Sequence, residues 1–121
     1  MANTFKVVTF AAEPASAGTP YVMYTVASST TTVVLGLVLS NISTTAVTAE
    51  VELVSTTSAR GGANNVANGT SFLIKDVNIP SGSSLEILSG GKVVLEAGDK
   101  IQIDCSVADK LSGTLSIMEI T

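Results

Sequence analysis

The chain has 121 residues, enough for one domain of common size, and 45% of them are hydrophobic, which excludes a disordered chain. It holds no His, no Trp, one Cys and only 13% charged residues against about 25% in an average domain, so a His-dependent nucleophile is excluded and a zinc site nearly so. Net charge is −4 and the basic residues Lys6, Arg60, Lys75, Lys92, Lys100 and Lys110 are dispersed, without the basic stripe and stacking aromatics that nucleic acid requires.

The opening Met-Ala-Asn-Thr-Phe-Lys has no basic region leading into an apolar one, so the chain is expected to be made in a cytoplasm without a signal peptide. The segment Phe5–Phe10 is β-branched and aromatic and reads as a strand. Residues 11–20, with two Pro and a Gly, read as a loop that cannot make a tight hairpin onto the next strand, Tyr21–Val26. This leaves an N-terminal arm, residues 1–10, to pair with a distant edge of its own sheet or with a neighbouring subunit, a mode in which backbone hydrogen bonds supply the affinity.

After a polar turn at Ser28–Thr30 comes a long strand, Thr31–Ile42. Strict alternation puts Val33, Leu35, Leu37 and Leu39 on one face and Val34 and Val38 on the other. With both faces apolar, one is expected to meet the core and the other a partner. No apolar run approaches the roughly 18 residues of a membrane span. Ala46–Ser55 alternates cleanly, with Val47, Ala49, Val51 and Leu53 inward and Thr48, Glu50 and Glu52 outward. Residues 56–70 have no periodicity and read as a long surface loop, a length that is uncommon without a function.

A strand returns over Ser71–Ile79 and closes at Pro80-Ser-Gly82. Leu85–Leu88 and Val93–Glu96 flank Gly90-Gly91, which suggests a hairpin. Lys100–Val107 alternates, with Ile101, Ile103, Cys105 and Val107 inward, and Gly113–Ile120 is the last strand. The prediction is a single all-β domain over residues 1–121: a β-sandwich, jelly-roll-like, of eight or nine antiparallel strands.

Candidate chemistry is sparse. Glu50 and Glu52 pair on one strand face as glycosidase carboxylates do, but the chain lacks the aromatics of a sugar cleft, and a solvated face is the better reading. Asp99, Asp104 and Asp109 follow no calcium-loop spacing, and Asp99 reads as a turn residue after Gly98. Cys105, flanked by Ile101, Ile103 and Val107, reads as a small packing residue. Asn41-Ile-Ser43 and Asn68-Gly-Thr70 match the glycosylation pattern by chance in a Ser/Thr-rich chain. No cofactor, no metal and no enzymatic activity are expected.

Several stretches, taken in order, carry a resemblance. They are Met-Ala-Asn-Thr-Phe-Lys at the start, Tyr24-Thr-Val26, Val33-Val-Leu-Gly-Leu37, Leu39-Ser-Asn41, Phe72-Leu-Ile-Lys-Asp-Val-Asn-Ile-Pro-Ser-Gly-Ser-Ser-Leu-Glu86, Lys92-Val-Val-Leu-Glu-Ala-Gly-Asp99, and Leu115-Ser-Ile-Met-Glu-Ile-Thr121. In this order the chain resembles a family of small virion structural proteins of tailed bacteriophages, notably those of marine bacteria and cyanobacteria. Residues 60–68 are longer than is usual there. The resemblance implies a virion component made in a bacterial host, and it brings no catalytic residues.

The resulting expectation is a capsid decoration (cement) protein, assembling with copies of itself as a homotrimer and with the major capsid protein. Alternatives are a tail, neck or baseplate protein that attaches fibres, and a host-glycan-binding module, which the scarcity of aromatics disfavours. Neither nucleic acid nor membrane is an expected partner. The residues expected at the interface are Phe5, Val7 and Phe10 on the arm, Val34 and Val38 on the long strand, and Arg60 in the loop.

Overall fold

The alternating apolar residues resolve into nine strands among the residues that the computed structural model describes, 2–55, 69–88 and 90–121. They are β1 (Asn3–Glu13), β2 (Tyr21–Thr25), β3 (Thr31–Asn41), β4 (Val47–Val54), β5 (Thr70–Ile79), β6 (Ser84–Glu86), β7 (Val93–Leu95), β8 (Lys100–Cys105) and β9 (Leu111–Ile120). Arg60 and most of the loop predicted over 56–70 lie outside the described residues.

Every strand pairing is antiparallel, and the strands divide between two sheets. The first has the order β1-β9-β3-β6, with β7 also on β3; the second has the order β2-β8-β4-β5. The chain crosses between sheets after β1, β2, β3, β5, β7 and β8. This interleaving is the jelly-roll form of the β-sandwich.

The core is aliphatic. Val34, Leu37, Leu39, Leu115 and Ile117 from the first sheet meet Val47, Ala49, Val51, Ile79, Ile101 and Ile103 from the second, all essentially without solvent contact. Burying one such side chain contributes about 1.5–3 kcal/mol, so these positions carry most of the drive to fold. Cys105 is buried among them, as a packing residue should be. At one edge of the core Phe10 lies edge-on to Tyr21, ring centroids 5.3 Å apart. Its ring occupies the space that a Cβ on Gly113, its cross-strand partner, would fill.

Five expectations change. Strict alternation along Thr31–Ile42 fails because the pairing with β9 shifts register between Val34 and Gly36. An extra residue there reverses the parity of the strand, and a Gly inside a strand often marks such a bulge. Val34 therefore points inward with Leu37 and Leu39, at 0% exposure, and is a core residue and not a partner-facing one. Phe10, expected on an exposed arm, is likewise buried, because its inward position on β1 places it over Gly113.

Leu85–Leu88 and Val93–Glu96 do not form a hairpin. The strands β6 and β7 pair separately with the two ends of β3, at Val38–Ser40 and Thr32–Val34, so Gly90-Gly91 belongs to a connection running along the β3 edge. Finally, β8 ends at Cys105, and Val107 lies beyond the pairing at 42% exposure. The arm itself pairs with its own sandwich: β1 lies along β9 from Asn3↔Ile120 to Phe10↔Gly113 without a register shift. As its composition implied, no hairpin joins β1 to β2; residues 11–13 extend β1 as far as Glu13↔Leu111, where a loop was expected, and residues 14–20 carry the chain to the other sheet.

Candidate functional site

The two outer faces of the sandwich differ in chemistry. On the second sheet the outward positions are Thr48, Glu50 and Glu52 of β4 beside Lys100, Gln102 and Asp104 of β8. Lys75 reaches Glu50 at 3.3 Å, and Gln102 donates a hydrogen bond to Glu52 at 2.7 Å. The Glu50/Glu52 pair is thus part of a solvated polar face.

A shallow cleft of about 360 Å³ lies on that face, with Gly18, Thr48, Glu50, Asp76 and Asp104 in its lining. Partial burial, and then the neighbouring Asp76, push the Glu50 carboxyl above the usual carboxylate range. The Asp104 carboxylate accepts from the Gly18 amide at 3.2 Å. Asp99 and Asp109 sit in the turns at opposite ends of β8, away from Asp104. Among the described residues no group of three or more acidic or thiol side chains is placed to hold a metal ion.

The outer face of the first sheet is apolar at its centre. Cross-strand pairing aligns Phe5 of β1 with Met118 of β9, Met118 with Val33 of β3, and Val33 with Val94 of β7. That gives an apolar row across the sheet, with Phe5 71% and Val94 62% exposed at its ends. Beside it run Asn3, Ile120 and Thr31 on one flank and Val7, Ser116 and Gly36 on the other. A further row holds Thr9, Thr114, Val38 and Glu86. Glu86 is the charged side chain within these four rows, and the exposed Lys92 and Glu96 flank Val94 at the edge of the face. Protein surfaces ordinarily intersperse both signs of charge, and a contiguous uncharged apolar patch marks a contact surface.

Of the residues expected at an interface, Phe5, Val7 and Val38 are brought together on this face, whereas Phe10 and Val34 are not. Met118, Val33, Val94 and Ile120 were missed. Their signal is cross-strand register, which no single segment carries, although Gly36 within an apolar strand marks the bulge that turns Val33 outward.

A polar clamp closes one open end of the sandwich beneath this face. Tyr24 of the second sheet donates to Glu119 Oε2 at 2.6 Å, while Lys6 Nζ meets Glu119 Oε1 at 2.6 Å. Since the phenol proton goes to Glu119, the buried Thr32 hydroxyl, 2.8 Å away, donates to the Tyr24 oxygen. The Lys6 ammonium, and then the Tyr24 hydroxyl, hold Glu119 below the usual carboxylate range. Burial, and then the bond to Glu119, push Tyr24 up to about 12.

The clamp gives stability a defined pH dependence. Glu119 titrates lower in the fold than in the unfolded chain, so its contribution is present above the unfolded carboxylate pKa and is lost as pH falls through the folded value. Tyr24 titrates higher, so its contribution is intact below its ordinary 10.0 and is lost as pH rises toward about 12. Thermal melts of the native protein and Glu119→Gln should therefore differ at neutral pH and converge in acid. A constant difference at every pH would contradict the clamp.

No protein-family model matches the chain, and no curated protein matches it significantly. One solved structure is similar, from a report that Bacillus endospore appendages form a family of disulfide-linked pili. It is 16% identical, with a TM-score of 0.47 over 99% of this chain and 87% of that one.

Proposed function

We propose that this chain is a non-enzymatic structural component of a tailed-phage particle, a capsid decoration protein that cements the shell with the outer face of its first sheet. The sequence resemblance supplies the setting. The observation that carries the mechanism is the exposed apolar row Phe5–Met118–Val33–Val94 across the outer face of the first sheet. A protein that reinforces a shell works by broad contact and needs no reactive group. An aromatic side chain such as Phe5 brings about 150–250 Å² of surface to such a contact, and removing apolar area from water contributes about 25 cal/mol per Å². The partners are the major capsid protein beneath and copies of this chain alongside. The charged outer face of the second sheet then faces solvent.

Mass spectrometry and density maps of purified particles of the phage encoding this chain test the reading. The expected result is a copy number comparable with the major capsid protein and density on the shell. A copy number matching the tail or baseplate would move the protein there, and absence from particles would reject the reading. Phe5→Asp and Val94→Asp, both at exposed positions, should fold normally and fail to incorporate. Normal incorporation of both would exclude this face as the contact.

A further inference from the structure

The partner of the open edge of β1 can be specified further, resting on the reading of the first sheet as an assembly surface. Ala2 and Thr121 exchange both backbone hydrogen bonds, at 3.2 and 2.9 Å, and the same register runs unbroken to Phe10↔Gly113. In an antiparallel pair, bonded and non-bonded residues alternate. Thr4, Lys6, Val8 and Phe10 therefore spend their backbone groups on β9. Asn3, Phe5, Val7 and Thr9 aim theirs at the open edge.

Open edges are usually guarded by charge, bulges, Pro or shortness. Among the described residues the other edges of this sandwich are guarded. β2 is five residues with a bulge between Val22 and Tyr24, and β6 and β7 are three residues each. β5 carries Lys75 and Asp76, with Asp76 at a φ of 51° and two register shifts against β4. From Asn3 to Phe10, β1 has no bulge and no Pro, and its one charge, Lys6, is drawn back toward β9 by Glu119. With one unguarded edge among the described residues, an edge that pairs with its own kind closes at two copies, the commonest symmetry of soluble oligomers.

The register follows from chemistry. A two-fold axis normal to the sheet must set an outward residue opposite an outward residue. Placing Phe5 opposite Val7 of the second copy would put Lys6 opposite Lys6 in a close, non-bonded pair, and like charges directly opposite are destabilising. Placing Phe5 opposite Phe5 uses only the start of the strand. Centring on Val7 sets Phe5 opposite Thr9 and Lys6 opposite Val8, and employs the open backbone groups of Phe5, Val7 and Thr9 in both copies.

We infer that β1 pairs antiparallel with β1 of a second copy about Val7, giving a two-fold dimer in which one sheet runs through both sandwiches. The dimer presents two such apolar rows side by side to whatever lies beneath it. It also replaces the trimer expected from sequence with a closed pair.

Cysteine cross-linking with light scattering tests this, in a Cys105→Ala background. The native protein should have the mass of two 12.3 kDa chains. Directly bonded partners sit about 5.5 Å apart at Cα, within disulfide reach, so Val7→Cys should oxidise nearly completely to a covalent dimer. Phe5→Cys, opposite Thr9, should cross-link poorly alone and well when combined with Thr9→Cys. Val7→Pro, which removes only an edge-facing donor, and Val7→Lys, which opposes two charges on the axis, should each give a monomer with a native circular dichroism spectrum. A native monomer, a trimer, cross-linking at Phe5→Cys in preference to Val7→Cys, or a Val7→Lys dimer would each overturn the inference. Monomers found at high copy on particles would reject the dimer and keep the decoration reading. Dimers of this register absent from particles would do the reverse.

Discussion

Val34→Asp should yield no cooperatively folded protein, whereas Val38→Asp, on the same strand, should fold. Val34 has 0% exposure and sits among Leu37, Leu115 and Ile117, so a carboxylate there has no water and no cation. Burial of an unpaired charge, added to the lost packing of the valine, costs several kcal/mol. Domains of this size are stable by only about 5–15 kcal/mol. Val38 faces outward beside Thr114 and Glu86, and is only half-buried. Its Asp variant should lose about 1 kcal/mol, within the range of ordinary surface-facing changes. Circular dichroism and urea unfolding of the two variants read the difference directly. Equal destabilisation would mean that the bulge at Gly36 is misplaced and that the strand alternates strictly after all.

Asn41→Leu should destabilise the protein by about 3–5 kcal/mol, since each buried polar group left unpaired costs about 1–3 kcal/mol. Asn41 is 2% exposed at the end of β3, where the two sheets meet at a corner. Its side-chain amide donates to the Thr45 carbonyl at 2.8 Å and to the Ile79 carbonyl of the second sheet at 2.9 Å. Its side-chain oxygen accepts from the Ser43 amide at 2.9 Å and from the Ser43 hydroxyl at 2.7 Å. Leucine has nearly the right volume and none of these groups, so the loss should appear as a lower urea midpoint with an unchanged slope. A loss below about 1 kcal/mol would show that the corner reorganises freely. The same bonds explain why the Asn41-Ile-Ser43 pattern is structural: the nitrogen that a glycan would need is buried and committed to two carbonyls.

These two residues show where local sequence runs out. Asn41 was legible only as a chance glycosylation match, because its buried partner, the Ile79 carbonyl, comes from the other sheet. The clamp of Lys6, Tyr24, Thr32 and Glu119 was invisible for the same reason, being drawn from four strands and both sheets.

The sequence by itself determined the class of fold, the positions of the strands and the aliphatic nature of the core. Alternation along Val47–Val54 and Lys100–Cys105 names the buried face correctly because period-two burial is a local property of an extended chain. It likewise identified Cys105 as a packing residue. Tertiary structure alone decided which face of β3 is inward, since one extra residue at the bulge reverses every side chain beyond it. Pairing over long sequence distances, Phe5 with Met118 and Val33 with both Met118 and Val94, likewise collected residues from four strands into one apolar row. Side-chain spacing within a strand cannot carry that information, because it fixes which way a residue points and not what lies beside it.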